Sequence, residues 1–237
     1  MSMSCESLHN ALADLPIIKY PFENTALPDN GIYFFYEHGE SCGHAGHNPR
    51  IVRVGTHRDG NFKQRIKSHF HIRSNIANLS IMKAKPSDMS IFRKNIGRAL
   101  LSKDNDPYID VWNIDFISLN NRKKFADRRD IKKEIEVEEK ITEILQNNFY
   151  FRFIEIENQN ERMGTGGLES RLIGTIASCP YCRPSENWLG KYSPVKKIAD
   201  SGLWLTQHIS SCPLDDSSGK ILLKSLDNTL SKYHKRG

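Results

Sequence analysis

Two short β-forming runs, residues 32–36 and 50–55, flank a Gly- and His-rich loop over residues 39–49, and a pattern of that kind folds back on itself as an antiparallel hairpin. The first run is aromatic and β-branched and follows the turn signal Pro28-Asp29-Asn30-Gly31. In the second, Ile51, Arg53 and Gly55 share one side while Val52 and Val54 take the other. The spacing then predicts a helix over residues 61–70, with Phe62, Ile66 and Phe70 recurring every four residues toward a core. Arg65 and His69 each sit one residue earlier, about 100° around the axis, so they share an adjacent and partly open face.

The rest of the chain alternates helical and extended patterns. Ser90 is placed to cap a helix ending near Leu101, with Ile91, Ile96, Leu100 and Leu101 inward and Arg93, Lys94 and Arg98 outward. Residues 111–118 read as a strand, 130–147 as a long charged helix, 150–156 as a strand, and 168–178 and 219–234 as helices. Pro16, Pro21 and Pro28 mark residues 1–30 as a lead-in, and there is no internal repeat. The expected fold class is α+β, a small central antiparallel sheet flanked by helices. No apolar run approaches the roughly 20 residues that cross a bilayer, and Met1 to Leu15 lacks the basic-then-apolar order of a secretory signal. Five scattered cysteines make no disulfide framework, which points to a reducing, cytoplasmic setting.

Charge is unevenly distributed. The chain of 237 residues has a net charge of +6, but residues 50–103 hold thirteen lysines and arginines against only Asp59 and Asp88, a local charge of +11. Cations packed this densely repel one another unless a polyanion lies across them, which is the footprint of nucleic-acid binding. Arg53, Arg58, Lys63, Lys67, Arg73, Arg93, Lys94 and Arg98 are the candidate contacts. A solvated basic surface is the alternative reading.

Five landmarks follow one another on elements of suitable type. Gly31-Ile32-Tyr33 opens the first strand, Arg53-Val54-Gly55 ends the second, and Arg65 and His69 lie on the next helix. Glu169 follows in Leu168-Glu169-Ser170, and Asn187 in Glu186-Asn187-Trp188. In that order they resemble the GIY-YIG nuclease superfamily, over residues 31 to about 190, with a long insertion at about 72–161 and a helical extension over 191–237. The way insertion and tail surround the core is most like the restriction-endonuclease branch. The resemblance implies hydrolysis of DNA phosphodiester bonds with one divalent ion, Mg²⁺ or Mn²⁺. It assigns Tyr33 a place beside the scissile phosphate, Arg65 the grip on that phosphate and His69 a position one turn further. Glu169 becomes the metal ligand, and Asn187 helps to shape the site.

One departure stands out: Arg53 occupies the place where the second motif usually begins with tyrosine. An arginine stays charged and donates hydrogen bonds only, so Tyr33 and His57 are the candidate proton acceptors. The chemistry suits these residue types. A planar guanidinium matches the developing phosphate charge, and a hard cation on one carboxylate and several waters stabilises the leaving oxygen. The partner implied is double-stranded DNA, and two strands against one site per chain suggest a homodimer. The alternatives are a binding protein of the same fold that does not cut, and a nuclease of DNA repair or of a mobile element.

A second metal reading lies further along. Cys179 and Cys182 form a C-x2-C pair, and His208 and Cys212 an H-x3-C pair, spacings that suit a structural Zn²⁺. It ranks behind magnesium, because the resembled nuclease requires no zinc. Cys5 and Cys42 look incidental, and His38, His44 and His47 read as decoration of a loop.

Overall fold

The computed structural model describes residues 3–44, 48–70 and 76–234. Four strands form one antiparallel sheet in the order β1-β4-β2-β3, where β1 is Ile18–Lys19, β2 Gly31–Ser41, β3 Pro49–Gly55 and β4 Phe149–Glu155. The expected hairpin is β2–β3, with Tyr33 opposite Gly55 and Phe35 opposite Arg53. The longer helices are α1 (Cys5–Ala13), α2 (Phe62–Phe70), α3 (Ile91–Lys103), α4 (Ile131–Asn148), α5 (Leu168–Ala177) and α6 (Asp216–His234). The α+β class with helical additions to a small sheet is therefore what the chain adopts.

Alternation along β2 sends Ile32, Phe34 and Tyr36 to one face of the sheet and Tyr33 and Phe35 to the other. The first face packs Leu8 and Leu12 of α1, Leu172 and Ile176 of α5, and Leu222 and Leu226 of α6. The second packs Phe62, Ile66 and Phe70 of α2, Phe92 and Ile96 of α3, and Ile141 and Leu145 of α4. Helices on both faces explain why β2 begins as an unbroken aromatic run: Gly31 through Tyr36 are all buried. Two segments that looked peripheral contribute to this core. The lead-in supplies α1 and β1, and the stretch 72–161 supplies β4, which pairs directly with β2 from Gly31 opposite Glu155 to Glu37 opposite Phe149.

Two expectations are corrected. Residues 111–118 are not a strand: Ile109–Asn113 is a short helix anchored by the fully buried Trp112. The indole Nε1 donates to the Lys94 carbonyl at 3.1 Å, and its ring lies against Gly97, where a Cβ would come within 2.5 Å. Tertiary packing overrides the β-branched and aromatic composition there. In α3, Arg93 and Lys94 point inward, whereas Ile91 is exposed. Arg93 donates to Glu138 at 2.7 Å, to the His69 carbonyl at 3.0 Å and to Thr142 at 2.8 Å. Lys94 reaches Asp88 at 3.0 Å and the Ile114 carbonyl at 3.1 Å. With the sheet on one side, α4 on another and Trp112 on a third, α3 has little open face left, and its cations are tolerated because each is paired.

Candidate active site

The ends of β2 and β3 are stitched into one scaffold. The Thr56 hydroxyl donates to the Gly31 carbonyl at 2.9 Å, and the Gly31 amide donates to His57 Nε2 at 3.2 Å. His57 Nδ1 lies 2.6 Å from the Arg58 carbonyl. Both ring nitrogens are thereby engaged, with Nε2 as acceptor and Nδ1 as donor, and burial lowers the His57 pKa, consistent with a neutral ring.

Tyr33 crosses Gly55 on this scaffold. Its hydroxyl lies 3.2 Å from His69 Nε2, and His69 Nδ1 lies 2.8 Å from Ser90 Oγ. His69 is fully buried, not on a partly open face, because α3 closes over α2. Burial, reinforced by Arg65, Arg53 and Arg93, pushes its pKa well below the usual imidazole value and keeps it neutral.

Arg53 is the link between these groups and the carboxylate. It is buried, donates through Nη1 to the Trp204 carbonyl, and places its guanidinium 5.0 Å from the Phe92 ring centroid. Its Nε–H has no partner among the described residues. Burial lowers its pKa, while Tyr33 and Glu169 favour its charge and Arg65 opposes it. Glu169 stands in the first turn of α5 and accepts the Thr56 amide at 3.1 Å. Burial raises its pKa; Arg53, His208, the Thr56 amide and Arg65 act against that rise. Tyr33, Arg53, Arg65, His69 and Glu169 thus form one interacting group at the end of β3.

Arg65 is half-exposed and lines a cleft of about 640 Å³ with His57, Arg58, Gln64 and Lys67. Tyr33, at 1% exposure, lies buried beside that group. Of the other cations read as nucleic-acid contacts, Arg58 and Lys67 are exposed at the cleft, and Lys63 is half-exposed and paired with Asp29 at 2.8 Å. Arg53, Arg93 and Lys94 are buried and internally bonded, so they offer nothing to a surface polyanion in this conformation. Arg98 is half-buried and held by Asn95 and Asn113, and Arg73 lies outside the described residues. Asn187 is exposed on a turn whose Ser185 is held by Glu40, at the other end of the hairpin from Thr56, and it does not join the group.

Two contributors, Arg162 and Thr56, were not singled out from sequence, and a third, Ser90, was read only as a helix cap. Arg162 is fully buried and donates to Thr56 Oγ1 at 3.0 Å and to the His57 carbonyl at 2.8 Å, and it also pairs with Asp59. Thr56 holds Glu169, and Ser90 holds His69 while capping α3 through the Arg93 amide at 3.4 Å. The Ser90 cap was legible; its second bond was not. The proposed zinc quartet does not assemble. His208 acts on Glu169, and Cys212 is exposed, both beside a different cavity with Arg171 and Lys197. Cys182 instead meets Cys5, His9 and His44, so Cys5 and His44 are not incidental.

The family model described as a GIY-YIG domain matches residues 5–235. Neither a curated protein sequence nor a solved structure matches the chain. Among the described residues, no helix is long and apolar enough to cross a membrane.

Proposed function

This chain belongs to the GIY-YIG domain family, and from that premise we propose that it is a metal-dependent endonuclease that hydrolyses phosphodiester bonds in double-stranded DNA. The observation that carries the reading is Glu169, a carboxylate fixed on the Thr56 amide and interacting with Arg53 and Arg65 at the edge of a basic cleft. One oxygen of Glu169 stays on that amide, and the other is available to a hard divalent cation that keeps several waters, the coordination Mg²⁺ or Mn²⁺ accepts. When bound, the ion supplies Lewis-acid stabilisation of the charge that develops on the phosphate and the leaving oxygen.

The remaining work falls to side chains. Arg65 is half-exposed and able to donate two parallel hydrogen bonds to a phosphate. Arg58 and Lys67 on the same cleft attract the backbone on either side. Tyr33 is the proton acceptor in this reading, with the Arg53 guanidinium close by and its hydroxyl oriented by His69. His57 is set aside, since its Nε2 lone pair already accepts the Gly31 amide. Because Tyr33 is 1% exposed, substrate entry has to displace the half-exposed Arg65 side of the cleft to bring water to that hydroxyl. The arginines beside Glu169 disfavour a lone cation, so ion and phosphate are expected to bind together.

Burial of Tyr33 also favours a second reading, a protein of this fold that binds DNA without cutting it. Incubation of the purified protein with methylation-free plasmid, with and without Mg²⁺, separates the two. Discrete fragments support a sequence-specific restriction-type enzyme, and nicked or smeared DNA a less selective nuclease. Salt-sensitive retention of intact plasmid supports the binder. A dimer in solution is expected for an enzyme that cuts both strands from one site per chain.

A further inference from the structure

Away from the cleft, on the opposite face of the sheet, four buried side chains from three distant segments point into one small space. Cys5 and His9 lie four residues apart on α1 and therefore on one helix face. His44 comes from the loop between β2 and β3, and Cys182 from the Cys179-Pro-Tyr-Cys182 turn that follows α5. One donor atom from each lies within 4.8 Å of the other three, and all four residues are buried. Cys5 Sγ is 3.5 Å from Cys182 Sγ, and Cys182 Sγ is 3.6 Å from His44 Nε2 and 3.9 Å from His9 Nε2.

These spacings fit a metal better than they fit a disulfide or a simple thiol cluster. A disulfide needs sulfurs about 2.0 Å apart, and both cysteines are free. A tetrahedral zinc ion with Zn–S near 2.3 Å and Zn–N near 2.0–2.1 Å sets its ligand atoms about 3.3–3.8 Å apart. The outer contacts agree. His9 Nδ1 lies 2.9 Å from the Cys5 carbonyl, a bond that places the proton on Nδ1 and leaves the Nε2 lone pair for an ion. The Gly43 amide donates to the Tyr181 carbonyl at 2.8 Å, tying the His44 loop to the Cys182 turn at the backbone level. Residue 43 suits this approach because a Cβ there would meet the Tyr181 oxygen at 2.9 Å.

We propose that Cys5, His9, His44 and Cys182 bind a structural zinc ion that clamps α1 and the β2–β3 loop to the C-terminal end of α5. This ion is distinct from the divalent cation assigned to Glu169, which stands at the other end of α5. Zinc, not magnesium, follows from the donors: two sulfurs and two imidazoles are soft and borderline ligands, without a carboxylate. Cys179 lies 3.3 Å from His44 Nε2 and is assigned as an outer neighbour. The clamp fixes the end of the helix whose first turn presents Glu169, so its role is to hold the carboxylate in register with β3.

The test is the metal content of the full-length protein after purification and dialysis against a weak chelator. The wild type is expected to retain about one zinc per chain, and so is Glu169→Gln; Cys182→Ser is expected to fall below about a tenth of that. A folded wild type without zinc, or one carrying iron in its place, overturns the proposal. Loss of zinc from Glu169→Gln overturns the separation of the two sites. If Cys182→Ser does not fold, the wild-type measurement still decides, and the cobalt-substituted protein gives a second reading. Its thiolate charge-transfer band is expected to match two sulfurs and to survive Cys179→Ser. A three-sulfur spectrum that loses intensity in Cys179→Ser overturns the assignment of His9 as the fourth ligand.

Discussion

Tyr33 and Gly55 face each other across β2 and β3, and a Cβ at position 55 would fall 2.3 Å from the Tyr33 hydroxyl oxygen. The ring of Tyr33 therefore occupies the space that any other residue at 55 would fill, and that placement aims its hydroxyl at His69. Gly55→Ala is expected to push the ring aside, at a cost of about 1–3 kcal/mol in stability and a loss of at least about 100-fold in cleavage rate. Thermal unfolding and plasmid nicking measure the two effects. A Gly55→Ala variant that cuts as fast as wild type would remove Tyr33 from the mechanism.

Glu169 carries a pH prediction whose sign differs for activity and for stability. Burial raises its pKa above the ordinary 4.5, and only the ionised carboxylate holds a cation. Activity should thus be lost as pH falls through that raised value, giving an acid limb above 4.5. In stability the raised folded pKa means that the fold prefers the protonated group, so its contribution is present at low pH and lost as pH rises through the folded pKa. Glu169→Gln keeps an oxygen for the Thr56 amide and is expected to be inactive, yet no less stable than wild type at neutral pH. A rate profile with no acid limb above 4.5, or a sharply destabilised Gln variant, would contradict this.

Much of this geometry was written locally in the chain. The hairpin, α2, α4 and β4 follow from periodicity, and Ser90 reads as a cap because its oxygen precedes an apolar helical pattern. The grouping of Tyr33, Arg65 and Glu169 came from motif order, which local pattern alone does not supply. What escaped were contacts set by tertiary neighbours. Arg93 and Lys94 look like solvent-facing cations until Glu138 and Asp88 are brought against them. Arg162 sits before a Gly-rich stretch with nothing to mark it as the brace of Thr56 and His57. The C-x2-C pair was visible, but its partners Cys5 and His44 lie more than a hundred residues upstream, and spacing cannot select them over His208 and Cys212.

The basic segment divides into two functional kinds of cation, and mutation should separate them. Arg93 and Glu138 form a fully buried pair, so Arg93→Met leaves a carboxylate without its partner and should cost about 3–5 kcal/mol in stability. Lys67 is exposed at the cleft. Lys67→Ala should leave stability within about 0.5 kcal/mol while lowering the slope of log affinity for DNA against log salt by about one. Denaturant unfolding and binding titrations over a salt series provide the comparison. A salt slope unchanged in the Lys67 variant would mean that DNA does not follow this cleft.

Ser90 performs two tasks with one oxygen, and the tasks can be told apart. It caps α3 through the Arg93 amide and lies 2.8 Å from Nδ1 of the histidine that orients Tyr33. Removing a cap by Ser90→Ala costs about 0.5–2 kcal/mol. If capping were its only role, the variant assayed well below its melting temperature would keep the wild-type rate. Because His69 would also lose a hydrogen bond at Nδ1, the imidazole should rotate or change tautomer, and the contact from Nε2 to Tyr33 should weaken. The expected result is a fall in kcat of about 10-fold or more with KM little changed, since the bond acts on the reacting group and not on DNA binding. Ser90→Thr retains both the capping oxygen and the hydroxyl that faces His69, so it should restore most of the rate. A Ser90→Ala variant that melts earlier but turns over at the wild-type kcat would reduce Ser90 to a helix cap and leave His69 without a positioning partner.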